Sequence, residues 1–298
     1  MISMKHPTYH TGKSLQDNMI GVILYYHHIA IGHLGRKTNI HDHIHETRLC
    51  CKRIRSLLRL GRYGMEPEAY DQFNAFYRDN ARRLSTIRDL TALSETVDGF
   101  RESVRQEGVK RFLSWHKYHL LKERSNIIKS NDFEIIKSEV RDAFLQGIQD
   151  IKELRLKDVH AGIMGQGLQK IYLRGQKQLE QNLEQPDDHA MHQWRKQVKY
   201  LWYQLIYLDS LWPAIIRPFA MQFRELSKML GAHHDLVVFQ EALNTMKQKG
   251  KYLQEIRKVD KNCQLRKKRL EQASLAFGEK LFFIPSHSWG SLMALLIR

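Results

Sequence analysis

The chain has 298 residues, 42% of them hydrophobic, which is enough apolar material for a core and excludes a disordered polyelectrolyte. Forty-eight Lys and Arg stand against 32 Asp and Glu, a net charge of +16 with His neutral, and 16 His add charge at lower pH. Such an excess points to a polyanion: nucleic acid, an acidic membrane surface or inorganic polyphosphate. Three cysteines, Cys50, Cys51 and Cys263, exclude a disulfide scaffold and read as small buried hydrophobes in a reducing compartment.

In chain order, the first ten residues contain no signal-peptide core. The apolar run Met19–Ile31 is interrupted by Tyr25-Tyr26-His27-His28 and falls short of a ~20-residue membrane span. Val and Thr are sparse and period-2 alternation is nowhere sustained, so the expectation is all-α. The six prolines stand where helices begin or end, as at Pro67, Pro186 and Pro213. Helices are expected at roughly 15–34, 43–61, 67–97, 101–128, 132–157, 164–184, 188–211, 214–247 and 250–280. The segment 111–129 is basic and aromatic, and Arg266–Arg269 is a basic run; both read as solvated faces. The tail 281–298 is apolar but broken by Pro285 and Gly290, and reads as a docking segment. A soluble, cytoplasmic chain is expected.

One basic helix occurs twice. His45, Arg48 and Lys52 have the same spacing as His192, Arg195 and Lys199, 147 residues later. Positions i, i+3 and i+7 share a helix face, so each copy lays three basic groups along one stripe. Like charges one turn apart repel, and stripes that tolerate this twice suit an anion. The first stripe continues through Arg55, Arg59 and Arg62, about 26 Å of helix from His45 at ~1.5 Å per residue, a length suited to an extended ligand. The apolar faces lie elsewhere: Cys51, Ile54 and Leu58 in one copy, Trp194, Val198, Leu201, Leu205 and Leu208 in the other.

At a spacing of 146, Pro67 answers Pro213, Phe73 answers Phe219, and Tyr77-Arg78 answers Phe223-Arg224. Arg82 then answers Lys228, Leu84 answers Leu230, and Arg88-Asp89-Leu90 answers His234-Asp235-Leu236. A run of matches at constant offset implies an internal duplication, with halves at 14–158 and 164–280. Asp89 and Asp235 are expected to orient a neighbouring Arg or His.

These residues resemble the CHAD family, the conserved histidine α-helical domain. Its motif is a His-x-x-Arg-x-x-x-Lys/Arg-x-x-Arg helix followed by Leu-Gly-x-x-Arg-Asp. His45, Arg48, Lys52 and Arg55 fit the first copy; His192, Arg195 and Lys199 fit the second, where Trp202 replaces the last basic residue. Leu84 to Asp89 and Leu230 to Asp235 fit the later motif, with Ser85 and His234 as departures. The resemblance covers 14–280 and implies two antiparallel four-helix bundles related by a pseudo-twofold axis. It further implies a central basic cleft that binds inorganic polyphosphate, and an association with polyphosphate granules. The Glu-x-Glu-x-Lys motif of the CYTH triphosphatase domain, fused to some members, does not occur, so the chain reads as a stand-alone member.

The site residues expected on this basis are His45, Arg48, Lys52, Arg55, Arg78, Arg82, Arg88, His192, Arg195, Lys199, Arg224, Lys228 and His234. Arg forks donate to phosphate oxygens, Lys gives a point charge, and His donates in either protonation state. Unperturbed His would add charge as pH falls through ~6.5. Neither a nucleophile nor a metal cage is evident, so binding without turnover, cofactor or metal is expected. One alternative is a metal-dependent phosphohydrolase built on His41-Asp42-His43 with His45, or on His233-His234-Asp235. The other is nucleic-acid binding, disfavoured because the stripes hold no aromatic and no recognition motif occurs.

Overall fold

A computed structural model describes residues 6–157, 162–247 and 252–297. The helices are α1 (Leu15–Leu34), α2 (Ile40–Leu60), α3 (Pro67–Arg83), α4 (Ser85–Ser103), α5 (Glu107–Lys129) and α6 (Asn131–Glu153). After these come α7 (Gly162–Glu184), α8 (Asp188–Leu208), α9 (Pro213–Lys247), α10 (Leu253–Leu281) and α11 (Ser286–Leu296). No strand occurs among the described residues.

Local chemistry sets the starts. Ser14 caps α1 by accepting from Asp17 N–H at 3.0 Å, and Ser130 caps α6 by accepting from Phe133 N–H at 3.3 Å. Asp187, just after Pro186, caps α8 by accepting from Ala190 N–H at 2.8 Å. Pro67 and Pro213 occupy first turns, where a missing N–H costs little.

The structure departs from the expected helices in three places. The segment expected as one helix over 67–97 is two, broken at Leu84 (φ −96°, ψ 10°). Leu84 is a buried corner: α3 packs on α2, whereas α4 turns to pack on α5 and α9. Its counterpart α9 continues unbroken for 35 residues, through Pro218, and touches both α8 and α10. The helix expected from 101 starts at Glu107, because Val104 is extended (φ −100°, ψ 146°). The apolar tail contains a helix, α11, which packs on α7.

Two hydrophobic clusters form the core. The larger takes side chains from α1, α2, α3, α6, α7, α8, the first part of α9 and α11; Tyr77, Phe144, Tyr172, Trp194 and Phe223 are fully buried in it. The smaller is a four-helix assembly of α4, α5, α9 and α10 around Phe100, Phe112, Phe239 and Ile256. Each cluster therefore draws on residues from both sides of position 160. Adjacent helices pair in the same order on the two sides: α1–α2, α2–α3, α4–α5 and α1–α6, then α7–α8, α8–α9, α9–α10 and α7–α11.

The backbones of α2 and α7 meet closely at Gly167. A Cβ there would lie 2.0 Å from the carbonyl oxygen of Leu60, so only glycine fits. Cys50, Cys51 and Cys263 are buried and free, and burial raises all three thiols, Cys51 and Cys263 to about 12. None of the described helices is long and apolar enough to cross a membrane.

Candidate anion-binding site

The two basic helices lie against each other. Ser56 Oγ of α2 donates to the Tyr200 carbonyl of α8 at 2.9 Å, and Gln204 Nε2 of α8 donates to the Ser56 carbonyl at 3.1 Å. The second is buried and the first partly so, and together they fix how α2 and α8 cross. Cys51, Ile54 and Leu58 on one helix, and Trp194, Val198 and Leu201 on the other, are buried in the larger core. The remaining stripes, His45-Arg48-Lys52 and His192-Arg195-Lys199, are brought together, and α4 and α9 add Arg88, His234 and Asp235.

Lys52 lies at the centre. After burial, the strongest influence on its ammonium is Lys199, then Arg48, Arg195 and Arg88; together they lower its pKa to about 7. Lys199 is lowered to about 8, by burial first and Arg195 second, with Asp235 opposing. Burial also weakens the charged state of Arg48 and of Arg195, against which Asp89 and Asp235 respectively act. Both remain cationic at neutral pH. Asp235 itself is raised by burial, with Arg195 and Arg88 pulling the other way. Each aspartate thus favours the charged form of a stripe arginine.

The histidines do not carry charge as expected. His192 is lowered to about 4, by burial and then Lys196 and Arg195. His234, its ring 4.3 Å from that of His192, is lowered to about 3, by burial, Arg195 and His192. His45 is lowered by burial and by Arg88. At neutral pH these rings act as neutral donors or acceptors, and the groups that titrate near neutrality are Lys52 and Lys199.

Two buried guanidinium N–H groups of this cluster, Arg48 Nε and Arg195 Nε, have no protein acceptor, and the buried ring nitrogen His192 Nδ1 has no hydrogen-bond partner. Arg48 Nη1 donates to the Ala81 carbonyl, which anchors the guanidinium and leaves Nε free. Buried donors of this kind are costly unless an acceptor meets them, and cations make them suited to an anionic one.

The other expected residues are placed differently. Arg55 continues the α2 stripe but donates Nε to Asn74 Oδ1 at 3.0 Å, which Arg59 shares. Arg78 is exposed and forks onto Asp79 at 2.8 and 2.9 Å. Arg82 and Arg224 are exposed, and Lys228 is exposed and pairs with Glu225 at 2.8 Å. The reason is facing: Phe223, Leu226, Ser227 and Leu230 are the buried side of α9, which turns Arg224 and Lys228 outward. Two residues not anticipated do join. Lys196 acts on His192 and His234, and Arg53 acts on Lys199. Both directly follow a stripe residue (Arg195 and Lys52), the one signal that marked them.

His33 Nδ1 lies 2.8 Å from His43 Nδ1, and His41 lies 3.5 Å from Asp42. Among the described residues no three His, Cys, Asp or Glu side chains converge in a way that could hold a metal ion.

The CHAD domain family model matches residues 31–244, most of the chain and every residue of the cluster just described. The chain belongs to the CHAD family. The fold is also similar to that in the crystal structure of the CHAD domain from the plant Ricinus communis, with a TM-score of 0.67 at 16% sequence identity, covering 93% of this chain and 94% of that one. No curated protein matches it. The matched span of the CHAD domain contains α2, α4 and α8 complete, and His234 and Asp235 of α9.

Proposed function

We propose that this CHAD protein binds inorganic polyphosphate, without turnover, through His45, Arg48, Lys52, Arg88, His192, Arg195, Lys199 and His234. The observation that carries the reading is the convergence of Arg48 and Arg195, each with a buried N–H lacking a protein acceptor, around two mutually repelling lysines. Phosphoryl oxygens supply acceptors and charge together, and a polyphosphate chain offers no base for stacking platforms to read. Arg55, Arg78, Arg82, Arg224 and Lys228 would extend the path of a long chain beyond this centre. Two related halves, 14–158 and 164–280, within one domain at 14–280 are part of the proposal, supported by the repeated motifs and the parallel order of helix pairing. So are a cytoplasmic location and association with polyphosphate granules, which the family resemblance suggests.

The test is calorimetric titration with polyphosphate of defined length, with folding checked by circular dichroism. Replacing Arg48 and Arg195 together with Ala is expected to weaken binding by about 100-fold or more, since each charged hydrogen-bonding group contributes about 1.5–3 kcal/mol. Replacing the exposed Lys258 and Lys268 removes the same charge and is expected to have little effect. Equal losses in the two variants would assign binding to diffuse charge.

A further inference from the structure

Helix α5 carries none of the cluster described above, yet it holds six Lys and Arg against two Glu. Val109, Phe112, Leu113 and Leu120 form its buried side, in the smaller core. The opposite side is ordered. Arg111, Trp115, Tyr118, Lys122 and Lys129 stand at i, i+4, i+7, i+11 and i+18, within about 60° of arc and over about 27 Å of helix. Trp115 is half-buried and the other four are exposed, Tyr118 by 61%. The rings touch one another: Trp115 lies 4.4 Å from His119, which Tyr118 meets edge-on at 5.5 Å. Tyr252 and Phe112 pack on Trp115 at 5.3 and 6.5 Å and hold it in place. Lys110 and Lys117, off the stripe, are paired with Glu107 at 3.0 Å and Asp98 at 2.6 Å. No ion pair of Arg111, Lys122 or Lys129 occurs among the described residues. Glu123, the other acidic residue of α5, is turned about 100° round the helix from Lys122. Aromatic rings gathered on a surface mark an interaction site, and here cations flank them on both sides.

We propose that the exposed side of α5 binds single-stranded nucleic acid, with bases stacked on Tyr118, Trp115 and His119 and phosphates held by Arg111, Lys122 and Lys129. Every base has a π-face, so such a platform accepts a strand without reading its sequence. A duplex keeps those faces inside its own stack. Polyphosphate has the charge but no base, and gains nothing from the rings. An anionic membrane would use the same cations but needs aliphatic side chains to insert, and the stripe has none. This surface shares no residue with the proposed polyphosphate site, so the two readings stand or fall separately.

The test is fluorescence anisotropy of a labelled oligothymidylate of about 12 nucleotides with the full chain, beside a duplex of equal length. Polyphosphate is titrated separately, and circular dichroism checks each variant. Tyr118→Ala is expected to weaken oligothymidylate binding by about fivefold or more and to leave polyphosphate binding unchanged. Tyr118→Phe, which keeps the ring, should restore it. Lys122→Gln should lower the slope of log affinity against log salt by about 0.7, one phosphate contact on a single strand. The Arg48→Ala, Arg195→Ala pair should lose polyphosphate and retain the Tyr118-dependent binding. Oligothymidylate affinity that is indifferent to Tyr118 but lost with Arg48 and Arg195 would overturn the inference, because the strand would then occupy the basic cluster. Equal affinity for the duplex would overturn it as well. So would Tyr118-dependent binding to phosphatidylglycerol vesicles without any to oligothymidylate, which would assign the stripe to a membrane surface.

Discussion

Lys52 and Lys199 make the cluster sensitive to pH in a window where histidine would usually be blamed. An anion favours their protonated forms, so binding raises both pKa values from about 7 and about 8. Below about pH 6 both are already charged and affinity is at its fullest. As pH rises through 7 to 9 each must take up a proton on binding, and affinity falls by up to about tenfold per pH unit per lysine. Titrations at several pH values in buffers of different ionisation enthalpy would measure this uptake. Lys52→Arg, which stays charged throughout, should flatten the profile. His192 and His234 contribute charge only in acid, near their values of about 4 and about 3. The sequence could place these side chains on one face but not show how close the two faces come, and that proximity is what moves the lysines rather than the imidazoles.

At the scale of elements, Gly167 sets the spacing of α2 and α7. Gly167→Ala would press a methyl group into the Leu60 carbonyl and should cost about 1–3 kcal/mol, measured by urea unfolding. Polyphosphate binding should weaken too if the C-terminal end of α2 is displaced. Helical periodicity made α2 and α8 legible, down to their apolar and basic stripes, because a 3.6-residue repeat is a local property. It did not reveal the corner at Leu84, where propensity is continuous and the break is made by two different packing partners. It also did not reveal the outward turn of Arg224 and Lys228. Matching them by offset to Arg78 and Arg82 told where they stand in a repeat, whereas burial of Phe223 and Leu226 decides which way they face. The α11 helix was hidden by Pro285 and Gly290, which read as breakers although Pro285 only precedes the first turn.

For the whole molecule, charge sets the behaviour with salt. Arg48, Arg88, Arg195 and Lys199, with Lys52 partly charged, give the residues proposed to bind phosphate four to five cations at pH 7, so the logarithm of the binding constant should fall with the logarithm of salt at a slope of about −3 to −4 for a short polyphosphate. Longer chains should steepen the slope as they reach Arg55, Arg78 and Arg82. A slope near −1 would mean that a single contact dominates. A helical chain with a +16 charge was evident from composition, but the division of the interior was not: contacts between distant parts of a chain leave no periodic trace.

That division has a consequence for how the molecule can be taken apart. The smaller core needs α4 and α5 together with α9 and α10, and the larger one joins α1, α2 and α6 to α7 and α8. A chain cut between α6 and α7 would leave two fragments with half of each interior and neither one whole. Residues 1–157 and 162–298, expressed separately, should each lack a cooperative thermal transition. Mixed, they should reassemble into a heterodimer that regains it, together with polyphosphate binding. The duplicated motif would then be a pair of complementary parts, each of which has surrendered the ability to fold without the other.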